Sequence, residues 1–245
     1  MLVAGFPATV FGTNCYVVAP DTGEECVVVD PGIGVADRLA EIVAEYRLRP
    51  VAVLLTHGHI DHTYSVVPVC GARGIPAYVH SDDRKMLADP ADGLSPELAA
   101  ALRQLPGGLV PTEPDDVVEL TDGASVALAG LEFAVDHAPG HTGGSVMFRL
   151  PGGVRRAGAE LPPERTELVE ASEVCFTGDV LFAGSVGRVD LPGGSAEQMA
   201  DSLRRRVLPL ADGVAVLPGH GPHTTIGRER RTNPYLLDPG VLAGH

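Results

Sequence analysis

Four side chains that commonly hold metal ions fall within one short stretch, Thr56-His57-Gly58-His59-Ile60-Asp61-His62. His57 and His59 lie two apart, so in an extended segment they project to the same side. Asp61 and His62 follow once the chain turns, and reach a second point some ångströms away. Imidazole and carboxylate both suit zinc-like ions. Four such donors with a carboxylate among them are more than one ion needs, and two adjacent ions use them well. A solvated loop that is merely His-rich is the competing reading, and it makes no demand on the rest of the chain.

The rest of the chain supplies partners. The apolar run 51–55 precedes the motif and reads as a short buried strand whose C-terminal end opens into the ligand-rich loop. Three further strand ends carry a donor beside glycine. His141 lies in His137-Ala138-Pro139-Gly140-His141-Thr142-Gly143-Gly144 after the strand 131–136. Asp179 lies in Thr177-Gly178-Asp179 after 174–176, and His220 in Leu217-Pro218-Gly219-His220-Gly221 after 213–217. Glycine lets the backbone turn tightly and approach an ion, and loops at strand ends on a rigid scaffold are where sites lie. Singly, His141 or His220 reads as a turn residue and Asp179 as a helix cap. Four separate strand-to-loop arrivals, each with a donor, favour a shared metal centre. Asp30, ending the strand 26–30 at Asp30-Pro31-Gly32, is either a turn residue or an outer support for a ligand. His80 reads as a strand-end residue because nothing near it in sequence completes a site.

The elements that must position these residues follow from periodicity. Strands are predicted at 1–4, 15–19 and 26–30, with a turn at Asp21-Thr22-Gly23. An amphipathic helix spans 35–47, and a second helix 62–73 follows the motif before a strand at 76–80. Residues 81–116 hold two short helical patterns, 82–88 and 95–104, among Pro90, Pro96, Pro106, Pro111 and Pro114. They form either a layer over the mouth of the site or a spacer between halves. Strands at 117–120, 125–128, 131–137 and 145–150 come next. The Gly-, Pro- and charge-rich segment 151–172 reads as a long, mobile hairpin loop. A strand at 174–176, a helix at 195–206, a strand at 213–217 and a helix from about 225 to 236 complete the chain. Neither half can cover its own sheet, so two mixed sheets packed face to face, with helices outside, fit the pattern as one α/β (α+β) domain over 1–245.

Composition narrows the function classes. The chain has 245 residues, 44% of them hydrophobic, and a formal net charge of -14. Such acidity argues against a nucleic-acid or anionic-membrane surface. Cys15, Cys26, Cys70 and Cys175 are scattered in or beside apolar runs with no C-x-x-C pair, as expected of small buried thiols. The apolar start carries no basic region and is interrupted by Pro7, no run reaches a membrane span, and a reducing cytoplasmic setting is the default.

The order H-x-H-x-D-H, followed by His141, Asp179 and His220 in their glycine settings, resembles the metallo-β-lactamase superfamily across essentially residues 1–235. The run from Thr177-Gly178-Asp179 through Arg188-Val189-Asp190-Leu191-Pro192-Gly193-Gly194 is similar to the glyoxalase II-like hydrolases. So is Leu217-Pro218-Gly219-His220-Gly221-Pro222-His223-Thr224, which runs on to Asn233-Pro234-Tyr235-Leu236. Together they point to the small, single-domain branch of that group. The resemblance implies a four-layer αβ/βα sandwich with a dinuclear site at one edge. It implies that one metal takes His57, His59 and His141, that the other takes Asp61, His62 and His220, and that Asp179 bridges them. His137 is not among the family's ligands and reads as an outer or structural residue.

The chemistry implied by this resemblance is hydrolysis of a small-molecule thioester of the S-2-hydroxyacyl-thiol type. It would use two divalent ions, zinc by default with iron or manganese also suited, and Asp61 as both ligand and proton acceptor. The family's glutathione contacts come from a C-terminal helical domain with basic and aromatic residues. The chain ends soon after its last helix and contains a single lysine, Lys85, so those contacts do not carry over. A mononuclear iron persulfide dioxygenase, a lactonase or β-lactamase, and a non-catalytic metal-binding protein are the alternatives.

Overall fold

A computed structural model describes residues 1–104, 108–154, 156–157 and 168–244. The chain begins with β1 (Leu2–Pro7), β2 (Asn14–Ala19) and β3 (Glu25–Val29), then α1 (Ala36–Glu45) and β4 (Arg49–Leu54). Two short helices, α2 (Ile60–Thr63) and α3 (Val66–Gly71), lead to β5 (Ala77–His80), α4 (Arg84–Ala88) and α5 (Pro96–Leu102). Next come β6 (Val117–Leu120), β7 (Ser125–Leu128), β8 (Leu131–His137), β9 (Val146–Pro151), β10 (Arg156–Ala157) and β11 (Glu173–Gly178). The described chain closes with α6 (Ala196–Ser202), β12 (Val214–Pro218), β13 (Thr224–Thr225), α7 (Ile226–Thr232) and α8 (Pro234–Leu237).

Two mixed sheets result. One runs β10-β1-β2-β3-β4-β5-β6 and the other β13-β12-β11-β9-β8-β7. Strand alternation explains how they stack. Along β2, Tyr16 and Val18 join a core with Val27, Val29, Phe133, Phe148 and Phe176, which fills the space between the sheets. Cys15, Val17 and Ala19 point the other way, into a core with Leu39, Ile42, Val66 and Val69 from the helices. The second sheet does the same on its outer face, where Met147, Cys175 and Val216 pack on Met199, Leu203 and Ile226. Both faces of the central strands are therefore buried, which is why these strands read as continuous apolar runs. The expected four-layer sandwich is the observed fold.

Several details differ from the sequence-based expectation. The predicted helix 62–73 is broken between α2 and α3, because Pro68 has no N–H to give the carbonyl four residues back. The Ser65 N–H bonds to the carbonyl of Pro31 and its hydroxyl to that of Gly32. The predicted helix 195–206 ends as α-helix at Ser202 and continues as a π-helical turn, Leu203–Val207. Much of the expected loop 151–172 lies outside the described residues. At its ends, however, Val154 is buried and β10 extends the first sheet by pairing parallel to β1. The described part of the segment 81–116 includes a layer over the site: Leu94, Ala99 and Leu102 form a small separate core with Ile60, the residue between His59 and Asp61.

The sheet directions bring the predicted loops to one edge. Strands β3 and β4 are parallel, as are β11 and β12, while β8 and β11 both run antiparallel to β9. The C-terminal ends of β3 and β4 thus share one side, and those of β8, β11 and β12 share another. Backbone bonds join the two edges, from Val146 N to Thr56 O at 2.8 Å and from Asn14 N to Gly219 O at 2.7 Å. Among the described residues no helix is long and apolar enough to cross a membrane. All four cysteines are buried free thiols, and burial pushes those of Cys26 and Cys70 up to about 12.

The filling between the sheets should dominate stability. Phe148→Ala, at a fully buried ring, is expected to lower unfolding free energy by about 3–5 kcal/mol, read from the denaturant midpoint at unchanged slope.

Candidate metal centre

All seven predicted donors meet at the edge where the two sheets are joined. Three groups of ligand atoms lie mutually within 4.8 Å: His57, His59 and His141; Asp61, His62 and His220; and His57, His62 and Asp179. Local structure explains how one short loop serves both sides. After β4 the chain bends at Thr56 and His57, is extended at His59, with φ -64° and ψ 143°, and then enters the single turn of α2. That change of direction brings Asp61 within reach of His220, while the His62 ring stays 4.1 Å from that of His57.

The hydrogen bonds behind the rings determine which nitrogen carries a proton. Asp30 accepts from Thr56 N at 2.8 Å and from Thr56 Oγ1 at 2.7 Å. With its only proton given to Asp30, the Thr56 hydroxyl must accept from His57 Nδ1, 3.1 Å away. Asp30 Oδ2 also lies 3.0 Å from His62 Nδ1, and the carbonyl of Arg188 lies 2.7 Å from His141 Nδ1. Carboxylates and carbonyls only accept, so each of these three rings is held with its proton on Nδ1. Their Nε2 atoms then present bare lone pairs to the interior of the site.

Those atoms face carboxylate oxygens and other imidazole nitrogens. His62 Nε2 is 3.4 Å from Asp179 Oδ1, 3.6 Å from Asp61 Oδ2 and 3.4 Å from His220 Nε2. His141 Nε2 is 2.8 Å from His59 Nδ1 and 3.5 Å from Asp179 Oδ2. Asp179 also reaches His220 Nε2 at 3.6 Å, so it touches both triads. His57 Nε2, His59 Nε2 and Asp179 Oδ1 are buried without any hydrogen-bond partner. Orphaned buried acceptors turned toward one another are costly, and a cation among them removes the cost. The donor set therefore fits divalent metal ions.

Electrostatics in the absence of a cation point the same way. Burial pushes His57 well below the ordinary imidazole value, and His59 down to about 3, with neighbouring rings adding to the effect. Burial also opposes charge on His62, but Asp61, Asp179 and Asp30 outweigh it and raise its pKa. His220 is raised likewise, burial being outweighed by its bond to Asp61 and by Asp179. For Asp61 and Asp179, burial is overcome by the surrounding histidines, and both carboxyls are held below their usual range. The raised pKa values of His62 and His220 reflect two buried carboxylates that favour positive charge beside them.

Close approach explains the glycines. A Cβ at Gly219 would lie 2.2 Å from Asp179 Oδ1 and 2.7 Å from the His62 ring. Asp30 itself adopts φ 50°, a left-handed conformation for a non-glycine residue, of the strained kind that collects at functional sites.

Some contributors were not visible as site residues in the sequence. Asp83 is buried and accepts from Gly58 N at 2.8 Å, Thr142 Oγ1 at 2.6 Å and Gly144 N at 2.7 Å. It thereby clamps the loop after β4 to the loop after β8. Burial raises its carboxyl pKa against the pull of those donors. Its only signal was an acidic pair after a strand end. Thr13 donates to Asp61 Oδ2 at 2.8 Å, and the Arg188 carbonyl, being backbone, leaves no sequence trace. His80 is not isolated: the ring of His137 stacks on it at 4.0 Å, and Asp82 Oδ2 lies 3.8 Å from its Nδ1. These three residues also form a potential ligand group. The rings, however, are within 9° of parallel, so their in-plane lone pairs do not converge. His137 keeps a structural part, with Nε2 2.8 Å from the Gly143 carbonyl.

A cavity of about 310 Å³ opens over the donors. His59, Asp61, His141, Asp179 and His220 form its floor, beneath Phe11, Ile60, Leu94, Leu98, Leu102, Phe182 and Leu191.

Comparison with known proteins agrees with this arrangement. The family described as the metallo-beta-lactamase superfamily matches residues 8–154. A Haemophilus influenzae protein named hydroxyacylglutathione hydrolase GloC is 34% identical, over 94% of this chain and 95% of its own. The crystal structure of the BLEG-1 B3 metallo-beta-lactamase superposes with a TM-score of 0.76 at 35% identity, covering 96% of this chain and 99% of that one. The protein TTHA1623, solved in a di-iron-bound form, gives a TM-score of 0.71 at 35% identity, covering 95% and 99%.

The geometry makes two outcomes measurable. Asp30→Ala removes the acceptor that orients His62 and Thr56, and is expected to weaken divalent-metal affinity about 10- to 100-fold, measured by chelator competition. Because the pKa values of His62 and His220 are raised, their protons persist to higher pH than on a free imidazole, and a cation must displace them. Metal affinity should therefore rise with pH through their titration, with protons released on binding. Calorimetry in buffers of different ionisation enthalpy detects that release.

Proposed function

The chain belongs to the metallo-beta-lactamase superfamily, and from that premise we propose that it is a dinuclear metal-dependent hydrolase of S-2-hydroxyacyl thioesters. The observation that carries the two-metal reading is the sharing of Asp179 between two triads of donors within 4.8 Å. His57, His59 and His141 would hold one ion and Asp61, His62 and His220 the other, with Asp179 within reach of both groups. The di-iron form of a 35%-identical neighbour supports the same count. The thioester reading is supported by the full-length relationship to a hydroxyacylglutathione hydrolase.

Two divalent cations held there supply Lewis acidity and a water acidic enough to ionise near neutral pH. The chain's own residues do the rest. Thr13 fixes the Asp61 carboxylate by its bond to Oδ2, and His220 Nε2 lies 3.3 Å from the same oxygen. Asp61, ionised and on the cavity floor, accepts the proton of the attacking water. Asp30, Thr56 and the Arg188 carbonyl keep the imidazole rings in their ligating tautomers throughout. No serine or cysteine nucleophile is required, and the four buried thiols take no part. The partner in this reading is a small-molecule thioester, and the chain's net negative charge argues against nucleic acid as a substrate.

A panel of thioesters, lactones, β-lactams and persulfides, assayed with metal analysis of the same preparation, tests the proposal. Two metals per chain with thioester turnover is the expected result; a single iron with oxygen consumption overturns it. Asp61→Asn, which keeps the shape and removes the charge, is expected to lower kcat at least about 100-fold. An unimpaired Asp61→Asn enzyme refutes the role given to this carboxylate.

A further inference from the structure

The walls of the metal cavity constrain what the reactive group is attached to. Leu98 and Leu102 lie one turn apart on α5 and share a face. With Leu94 just before the helix they line the cavity as its roof, and Phe182 and Leu191 add further apolar lining. Phe11 stands at the mouth, its residue 52% exposed and its backbone at φ 62°. A large aromatic held exposed in a left-handed conformation is strained, and at the rim of a site it offers contact area to a ligand.

Charge is nearly absent from these walls. Among the described lining residues the single lysine or arginine is Arg188. Its guanidinium is already engaged by both oxygens of Asp190, at 2.7 Å each. Lys85 is not among the lining residues. A carboxylate placed against the roof would lose its hydration without gaining a partner, whereas an apolar group would gain by burial.

We infer, building on the thioester reading above, that the substrate's non-reacting arm is uncharged and largely apolar, and that the α5 roof is the element selecting it. A tripeptide thiol bearing two carboxylates and an ammonium group, such as glutathione, is a poor fit for this cavity. The inference separates this chain from what the name of its 34%-identical relative would imply.

Binding and turnover test the idea separately. Calorimetry on the metal-loaded protein compares two unreactive thioethers, S-benzyl-N-acetylcysteamine and S-benzylglutathione. The uncharged compound is expected to bind at least about tenfold tighter. The 2-hydroxyacyl thioester of N-acetylcysteamine is likewise expected to exceed that of glutathione about tenfold in kcat/KM. Leu98→Arg, which supplies a cation at the roof, should narrow both ratios about fivefold or more while metal content stays the same. Equal or tighter binding of the glutathione thioether by the native chain overturns the inference, as does a ratio unmoved by Leu98→Arg in a protein that binds its metals. If neither thioester is hydrolysed but the binding preference holds, the apolar roof stands and the thioester reading falls.

Discussion

Three imidazoles whose Nδ1 protons are committed to Asp30, Thr56 and a backbone carbonyl present Nε2 to the interior of the site, where that of His62 faces Asp61 and Asp179 and that of His141 faces Asp179. Such an arrangement repels itself in a buried setting unless positive charge lies among the donors. Protons on His62 and His220 can supply some of that charge, and divalent ions supply it more completely. The rest of the structure can be understood as the scaffold that keeps this self-repelling cluster from relaxing. The outer hydrogen bonds are therefore as much part of the centre as the ligands.

The scaffold acts through stiffness at an edge. Four loops meet because the strands beneath them run in matched directions, with both faces buried. Backbone bonds between the sheets, at Val146 to Thr56 and Asn14 to Gly219, set the distance between the loops. Asp83 adds a second tie by taking donors from two of the histidine-bearing loops, those after β4 and β8. Glycine at 219 leaves the space that a Cβ would take from Asp179 and His62. Each tie removes a direction in which the donors could otherwise drift apart.

The donors and the walls above them reside in different layers. The donors stand on loops anchored by the two sheets, whereas the roof belongs to the segment between β5 and β6 and carries its own small apolar core. Relatives that match nearly the whole chain include a hydroxyacylglutathione hydrolase and a β-lactamase. A shared fold with differently named substrates is what this separation predicts, because function lives in the site and its walls, not in the fold.

The donor set was legible in the sequence because each of its parts is local. A buried strand, a glycine turn and a histidine or aspartate fall within a few residues of one another, at 57–62, 141, 179 and 220. The paired sheets were legible for a similar reason, since strand and helix periods are short-range signals. Other features depend on contacts between distant positions. Asp30 was open between turn and support until it was found against His62, thirty-two residues away. The clamp from Asp83 to Gly144 spans sixty-one residues, and the stacking of His80 on His137 spans two different sheets. The Pro-rich segment 81–116 could be a spacer or a roof until Leu94 and Leu102 were placed on Ile60. Which atoms could bind metal was legible along the chain, because ligand identity is a property of single residues. Which of them stand together, which nitrogen each ring presents and what lies above them were not, because those depend on distances between strands.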